Sequence, residues 1–134
     1  AGQVPQTLLE RWRCLVGEQL ICQIELYAMV VIRWMLADRL KDRRTIWWVD
    51  NDAARYATIK GISPSAVMRC LVRQFYHFET SAPTYSWVER IPSYSNPADA
   101  PSRGCPEEAM KLLQVGECKP VDHPAELINK LLLL

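Results

Sequence analysis

The sequence carries no strong charge of either sign. Its net charge is +1, so no global field draws it to nucleic acid or to an anionic membrane, and a polyanion would have to be met by a local basic patch. It has no Cys-x-x-Cys pair: Cys14, Cys22, Cys70, Cys105 and Cys118 are odd in number and widely spaced. That argues against a disulfide framework or a zinc site and fits free thiols in a reducing compartment. No signal peptide opens the chain, and the apolar run from Ala28 to Ile32 is far too short to span a bilayer. A soluble intracellular protein of cytoplasm or nucleus, with no membrane partner, is expected. There is no internal repeat and no initiating Met. The start, Ala1-Gly2-Gln3-Val4-Pro5, is loop-like, which leads to the expectation of a piece of something longer.

What is present suits a folded domain. The chain has 134 residues, 49% of them apolar, with five Trp, enough for a core of its own. The organising stretch is Arg43 to Lys60. Within it Thr45-Ile46-Trp47-Trp48-Val49 is an unbroken β-branched and aromatic run, which predicts a strand buried on both faces. A helical pattern with Ala53, Ala54, Ala57 and Ile59 follows, and Gly61 closes it. Ahead of the strand, Gln6 to Val16 predicts a short helix ended by Gly17. Gln19 to Cys22 is ambiguous and is read as a short strand. Gln23 to Leu40 is apolar almost all round, the pattern of a buried helix. Beyond Gly61, Ser63-Pro64 is read as the start of a further helix with Ser63 as cap, and Tyr85 to Ile91 as a second strand. The order strand–helix–helix–strand implies an α/β architecture.

Three acids stand where acids are costly or surplus. Asp50 ends the central strand, the end at which open α/β sheets carry their sites. Its neighbours Asn51 and Asp52 make three polar residues where one helix cap would suffice. Glu25 lies on the buried helix with no basic residue at helical spacing, although an acid in a first turn also complements the helix dipole. Asp99, in Asn96-Pro97-Ala98-Asp99, fits an ordinary third helical position with Asn96 as cap. Taken together, three carboxylates at element ends suit a hard divalent cation, which takes a few carboxylates plus water and substrate phosphate.

The segments Gln23-Ile24-Glu25-Leu26-Tyr27-Ala28, Val49-Asp50-Asn51-Asp52-Ala53-Ala54 and Asn96-Pro97-Ala98-Asp99-Ala100-Pro101-Ser102-Arg103-Gly104 resemble the ribonuclease H-like domain of retroelement reverse transcriptases. The last, similar to that group's N-x-A-D-x-x-S-R ending, is the most specific. The resemblance covers roughly Leu20 to Gly104. It implies a ribonuclease H-like mixed sheet with flanking helices, an RNA–DNA hybrid as substrate, and cleavage of the RNA strand with two Mg²⁺ (or Mn²⁺). Glu25, Asp50 and Asp99 would be the catalytic metal ligands. Asn51 would lie near the hybrid's minor groove, where 2′-hydroxyls mark RNA, and Arg103 would be a cation close to the site. The family's first strand carries a further Asp that bridges both metals, and here no Asp precedes Asp38. The domain is therefore expected to be partial, spanning 1–104 with its first strand missing, followed by a C-terminal extension over 105–134.

An isolated chain lacking that Asp is expected to be inactive. The polymerase part of the same polyprotein, or another chain completing the sheet, is the expected partner. The alternatives are a binding module with a defective metal site and a structural subunit whose sheet edge another chain completes. Trp47, Trp48, Tyr85 and Trp87 are read as core rather than as base-stacking residues. His77 is read as a surface or packing residue, and His123 as having no partner.

Overall fold

The structure, a computed structural model, describes residues 2–117 and 121–134. Cys118 lies outside the described residues. Contacts divide the chain into two compact units, one of Val4–Arg90 with His123–Leu134 and one of Ala1–Gln3 with Ile91–Asp122.

The larger unit is mixed α/β. It opens with helix α1 (Gln6–Val16), which buries Leu8 and Trp12, and continues with α2 (Ile21–Met35). A turn at Leu36 separates α2 from the short α3 (Ala37–Leu40), so the apolar stretch read as one helix to Leu40 is two. The expected strand at Gln19 to Cys22 is instead the lead-in and first turn of α2. Strand β1 (Arg44–Val49) follows, then α4 (Asp52–Lys60), α5 (Ala66–Ser81) and β2 (Tyr85–Arg90). β1 and β2 pair in parallel, with Arg44 opposite Tyr85 and Val49 opposite Arg90. Parallel strands need a crossover connection, and α4 and α5 supply it. Gly61 ends α4 in the left-handed conformation, with φ of +71°, where glycine alone is unstrained. Helix α5 is capped by Ser65, whose hydroxyl accepts from the Met68 N–H, rather than by Ser63. Helix α8 (Ala125–Leu132) packs on α1 and α5 and buries Leu127 and Leu131.

The core lies where α2 crosses α5, with α4 against β1 and β2 and the inner face of β1 reaching α5. Leu26, Val30, Val67, Leu71, Val72 and Phe75 are fully or almost fully buried there. Trp47 joins them, its ring edge-on to Phe75 at 5.5 Å and its indole N–H donating to Ser86 Oγ at 3.1 Å. A buried charge ties the layers together. Arg33 on α2 is wholly buried, pairs with Glu79, and donates to the Phe78 carbonyl at 2.9 Å and to the Ala82 carbonyl. It thus adds a side-chain donor at the end of α5, where the Phe78 carbonyl also accepts the Ala82 N–H at 3.0 Å.

β1 is not buried on both faces. Trp47 and Val49 point inward, but Ile46 and Trp48 are each 57% exposed, and on β2 Tyr85 and Trp87 are exposed as well. Side chains alternate along a strand, and among the described residues only one face of this pair is covered. The assignment of Trp48, Tyr85 and Trp87 to the core is therefore corrected. Among the described residues β1 pairs with no strand besides β2, so its other edge is open.

In the second unit a 3₁₀ turn (Ser93–Ser95) leads to α6 (Asp99–Ser102) and α7 (Pro106–Leu113). The stretch 105–134, read as one extension, is split between the units: α7 lies here and α8 packs in the other. Among the described residues no helix is long and apolar enough to cross a membrane.

The burial pattern separates two neighbouring tryptophans. Trp47→Ala should cost about 3–5 kcal/mol in chemical denaturation, and Val31→Asp should leave the chain unfolded by burying an unpaired charge. Trp48→Ala should cost under about 1 kcal/mol, as surface changes do. Equal losses at Trp47 and Trp48 would show that both faces are covered.

Candidate functional site

The junction after β1 distributes its three polar residues unequally. Asn51 is the cap of α4: its side-chain oxygen accepts from the Ala54 N–H at 3.0 Å. Asp52 opens α4 and faces Arg90, with Oδ1 3.6 Å from Nε. Asp50 is left over, and its carboxyl meets that of Glu25 from α2. Glu25 lies beyond the first turn of its helix, in which no acid stands, so dipole complementation does not account for it.

The Glu25–Asp50 contact joins two acids. The pKa of Glu25 is pushed up to about 7. Burial is the largest cause, followed by the Asp50 charge and a hydrogen bond between the two side chains. The Asn51 backbone N–H pulls weakly the other way. The protonated Glu25 carboxyl can donate to Asp50, and burial together with the Asp50 charge favours that form. Glu25 Oε2 is buried and, among the described residues, has no hydrogen-bond partner. A buried polar atom in that state is a costly arrangement, and a cation is one group that would relieve it.

These residues fit a single hard cation. Mg²⁺ commonly binds through one or two carboxylates and completes its octahedron with water and phosphate oxygens. Glu25 and Asp50 supply such a pair from two rigid elements, with one oxygen already stripped of solvent. Among the described residues no three His, Cys, Asp or Glu side chains form a group that could hold a metal ion, so the pair stands as two ligands.

Asp99 belongs to the other unit. It is the first residue of α6, not the third, and Arg103 Nη2 pairs with its Oδ2 at 3.1 Å across one helical turn. Asn96 makes a side-chain turn, accepting from the Ala98 N–H at 3.0 Å, and does not cap that helix. Arg103 and Asp99 are thus brought together, as are Glu25 and Asp50. Asn51 sits beside the latter pair with its side-chain oxygen engaged in the cap.

Two contacts escaped sequence reasoning. His123 does have a partner: its Nδ1 lies 2.8 Å from the Tyr27 hydroxyl, and the rings stack at 5.7 Å. Burial lifts the Tyr27 pKa to about 12, so the phenol keeps its proton, and the imidazole tautomer sets which of the two donates. A buried Tyr usually finds such a partner, but nothing near Tyr27 in sequence announces which. The Arg33–Glu79 pair is equally non-local.

Compared with protein-family models, with curated proteins and with solved structures, the chain matches none.

The carboxyl pair makes stability depend on pH in a defined direction. Glu25 binds its proton more tightly folded, at about 7, than at its ordinary value of 4.5. The folded state therefore holds the extra proton between those values, and stability falls as pH rises through that window. In chelator-treated protein the loss should be about 1–2 kcal/mol after allowance for solvent screening. Glu25→Gln should flatten the dependence in thermal melts and melt higher than the parent at pH 8. A parent whose stability rises from pH 5 to pH 7 in step with the variant would remove Glu25 as the cause.

Proposed function

We propose that the chain is a ribonuclease H-like domain of a retroelement reverse transcriptase, built to hydrolyse the RNA strand of RNA–DNA hybrids with Mg²⁺ or Mn²⁺. The observation that carries this reading is the meeting of Glu25 and Asp50 at the carboxyl end of β1, with a buried oxygen left unpaired. The order of parts supports it: an acid on a helix, an acid ending a strand, then a two-helix crossover to a second parallel strand. So does the motif from Asn96 to Gly104, although Asp99 belongs to the other unit and the pair stands without it.

In this reading Glu25 and Asp50 hold a divalent ion. Such ions, when bound in pairs, activate water and stabilise the leaving oxygen of a phosphodiester, here releasing a 3′-hydroxyl and a 5′-phosphate. Asn51 fixes the backbone turn that presents Asp50, and the Asn51 N–H holds charge on Glu25. The open edge of β1 fits completion of the sheet by another strand, either from the polymerase part of the same polyprotein or from another chain.

A second reading keeps the fold and drops the chemistry. Two carboxylates with no third in their group among the described residues favour a nucleic-acid or protein-binding module that takes one ion at most. Calorimetry and cleavage assays separate the two. The isolated chain should bind about one Mg²⁺ weakly, Asp50→Asn should abolish that binding, and hybrid cleavage should be undetectable. Addition of a strand-forming segment bearing an Asp ahead of residue 1 should produce Mg²⁺-dependent cleavage, lost again in Asp50→Asn. Cation binding that survives both Asp50→Asn and Glu25→Gln would refute the site. Failure of every extended chain to cleave, with the single ion still bound, would favour the binding module.

A further inference from the structure

The uncovered face of the β1–β2 sheet carries three aromatic rings. Strand alternation and the parallel register put Arg44, Ile46 and Trp48 of β1 beside Tyr85, Trp87 and Glu89 of β2. Trp48 is 57% exposed, Trp87 65% and Tyr85 72%. Large rings held on a rigid sheet and left in water are unusual for packing residues. The charges around them have one dominant sign. Lys41, Arg43 and Arg44 are exposed at the start of β1 and, among the described residues, enter no ion pair, with Asp42 the one acid in that run. Glu89, the one acid on the face, is engaged by the Arg55 guanidinium at 3.4 Å and by the Trp87 indole N–H at 3.3 Å.

We propose that this face is a stacking platform for single-stranded nucleic acid. Base faces lie on Trp48, Trp87 and Tyr85, while Lys41, Arg43 and Arg44 meet the phosphates. Sheet-borne aromatics stack about two or three bases in this manner, with little sequence preference because every base offers a π-face. The unpaired cations are what select a polyanion over an apolar protein surface for the occupant. The platform rests on observations separate from the Glu25–Asp50 pair, and it serves a strand that is not base-paired, since paired bases keep their faces within the stack.

Fluorescence anisotropy with labelled single-stranded RNA octamers, on the full chain, tests this. The wild-type chain should bind, more weakly as salt rises. Trp87→Ala and Trp48→Ala should each weaken binding at least about fivefold. Trp87→Phe, which keeps a ring, should retain most of the affinity. Arg44→Ala should reduce the salt dependence. All three side chains are exposed, so melting curves should stay near the parent's, and Mg²⁺ binding by Trp87→Ala should be unaltered whether or not the platform exists. Absence of binding, or affinity indifferent to both Trp→Ala changes, overturns the proposal. So does light scattering that shows a dimer which Trp87→Ala dissociates, because the face would then be a protein interface.

Discussion

Parallel pairing of β1 with β2 is the constraint from which the rest of the larger unit follows. Two parallel strands cannot be joined by a tight turn, so the chain must leave β1, run through α4 and α5, and return. The exit is abrupt: Val49 is still in the sheet and Asp52 is already in a helix. The backbone N–H groups freed there need an acceptor, and Asn51 provides one. Asp50 is then held at the end of a strand whose inner face is fixed by Trp47 against Phe75. Helix α2 must pack on α5 to bury its apolar sides, and Arg33 anchors that packing at the carbonyl end of α5. The same packing carries Glu25 to Asp50.

The resulting contact is electrostatically expensive. Two carboxyls in one partly buried place repel when both are charged; burial first and the Asp50 charge second raise the Glu25 pKa to about 7, which favours its protonated form. Among the described residues of this unit other acids face cations: Glu79 faces Arg33, Glu89 faces Arg55, and Asp52 faces Arg90. The exception is thus local, and it lies at the strand end where α/β sheets carry their chemistry. The proposed cation site would offset both the repulsion and the desolvation of the Glu25 oxygen.

The elements were legible where pattern and punctuation agreed. The Thr45–Val49 run, Gly61 and the Tyr85 strand all stood close to their observed places, and the surplus of acid at Asp50–Asp52 pointed to the residue left without a local role. The faces of β1 were not legible. Ile46, Trp47, Trp48 and Val49 are all apolar, so the alternation that tells inside from outside is erased, and only the layers present decide it. Cap positions slipped because Ser63 and Ser65, or Asn96 and Ala98, differ by less than the resolution of boundary signals. The Tyr27–His123 contact joins residues 96 apart in sequence, beyond the reach of any periodicity. The asymmetry between Asp99 and the other two acids was likewise invisible, since motif spacing does not say which compact unit a residue joins.

The most direct test follows the Glu25 carboxyl itself. Carbon-13 NMR of the side-chain carboxyls can be recorded across pH with and without Mg²⁺, with Asp50→Asn to assign the coupling. In metal-free protein the Glu25 carboxyl should titrate at about 7. Added Mg²⁺ should pull that midpoint down, because the ion competes with the proton. In Asp50→Asn the metal-free midpoint should fall and the response to Mg²⁺ should disappear. A Glu25 carboxyl that titrates near 4.5, the ordinary value, and ignores Mg²⁺ would contradict the account.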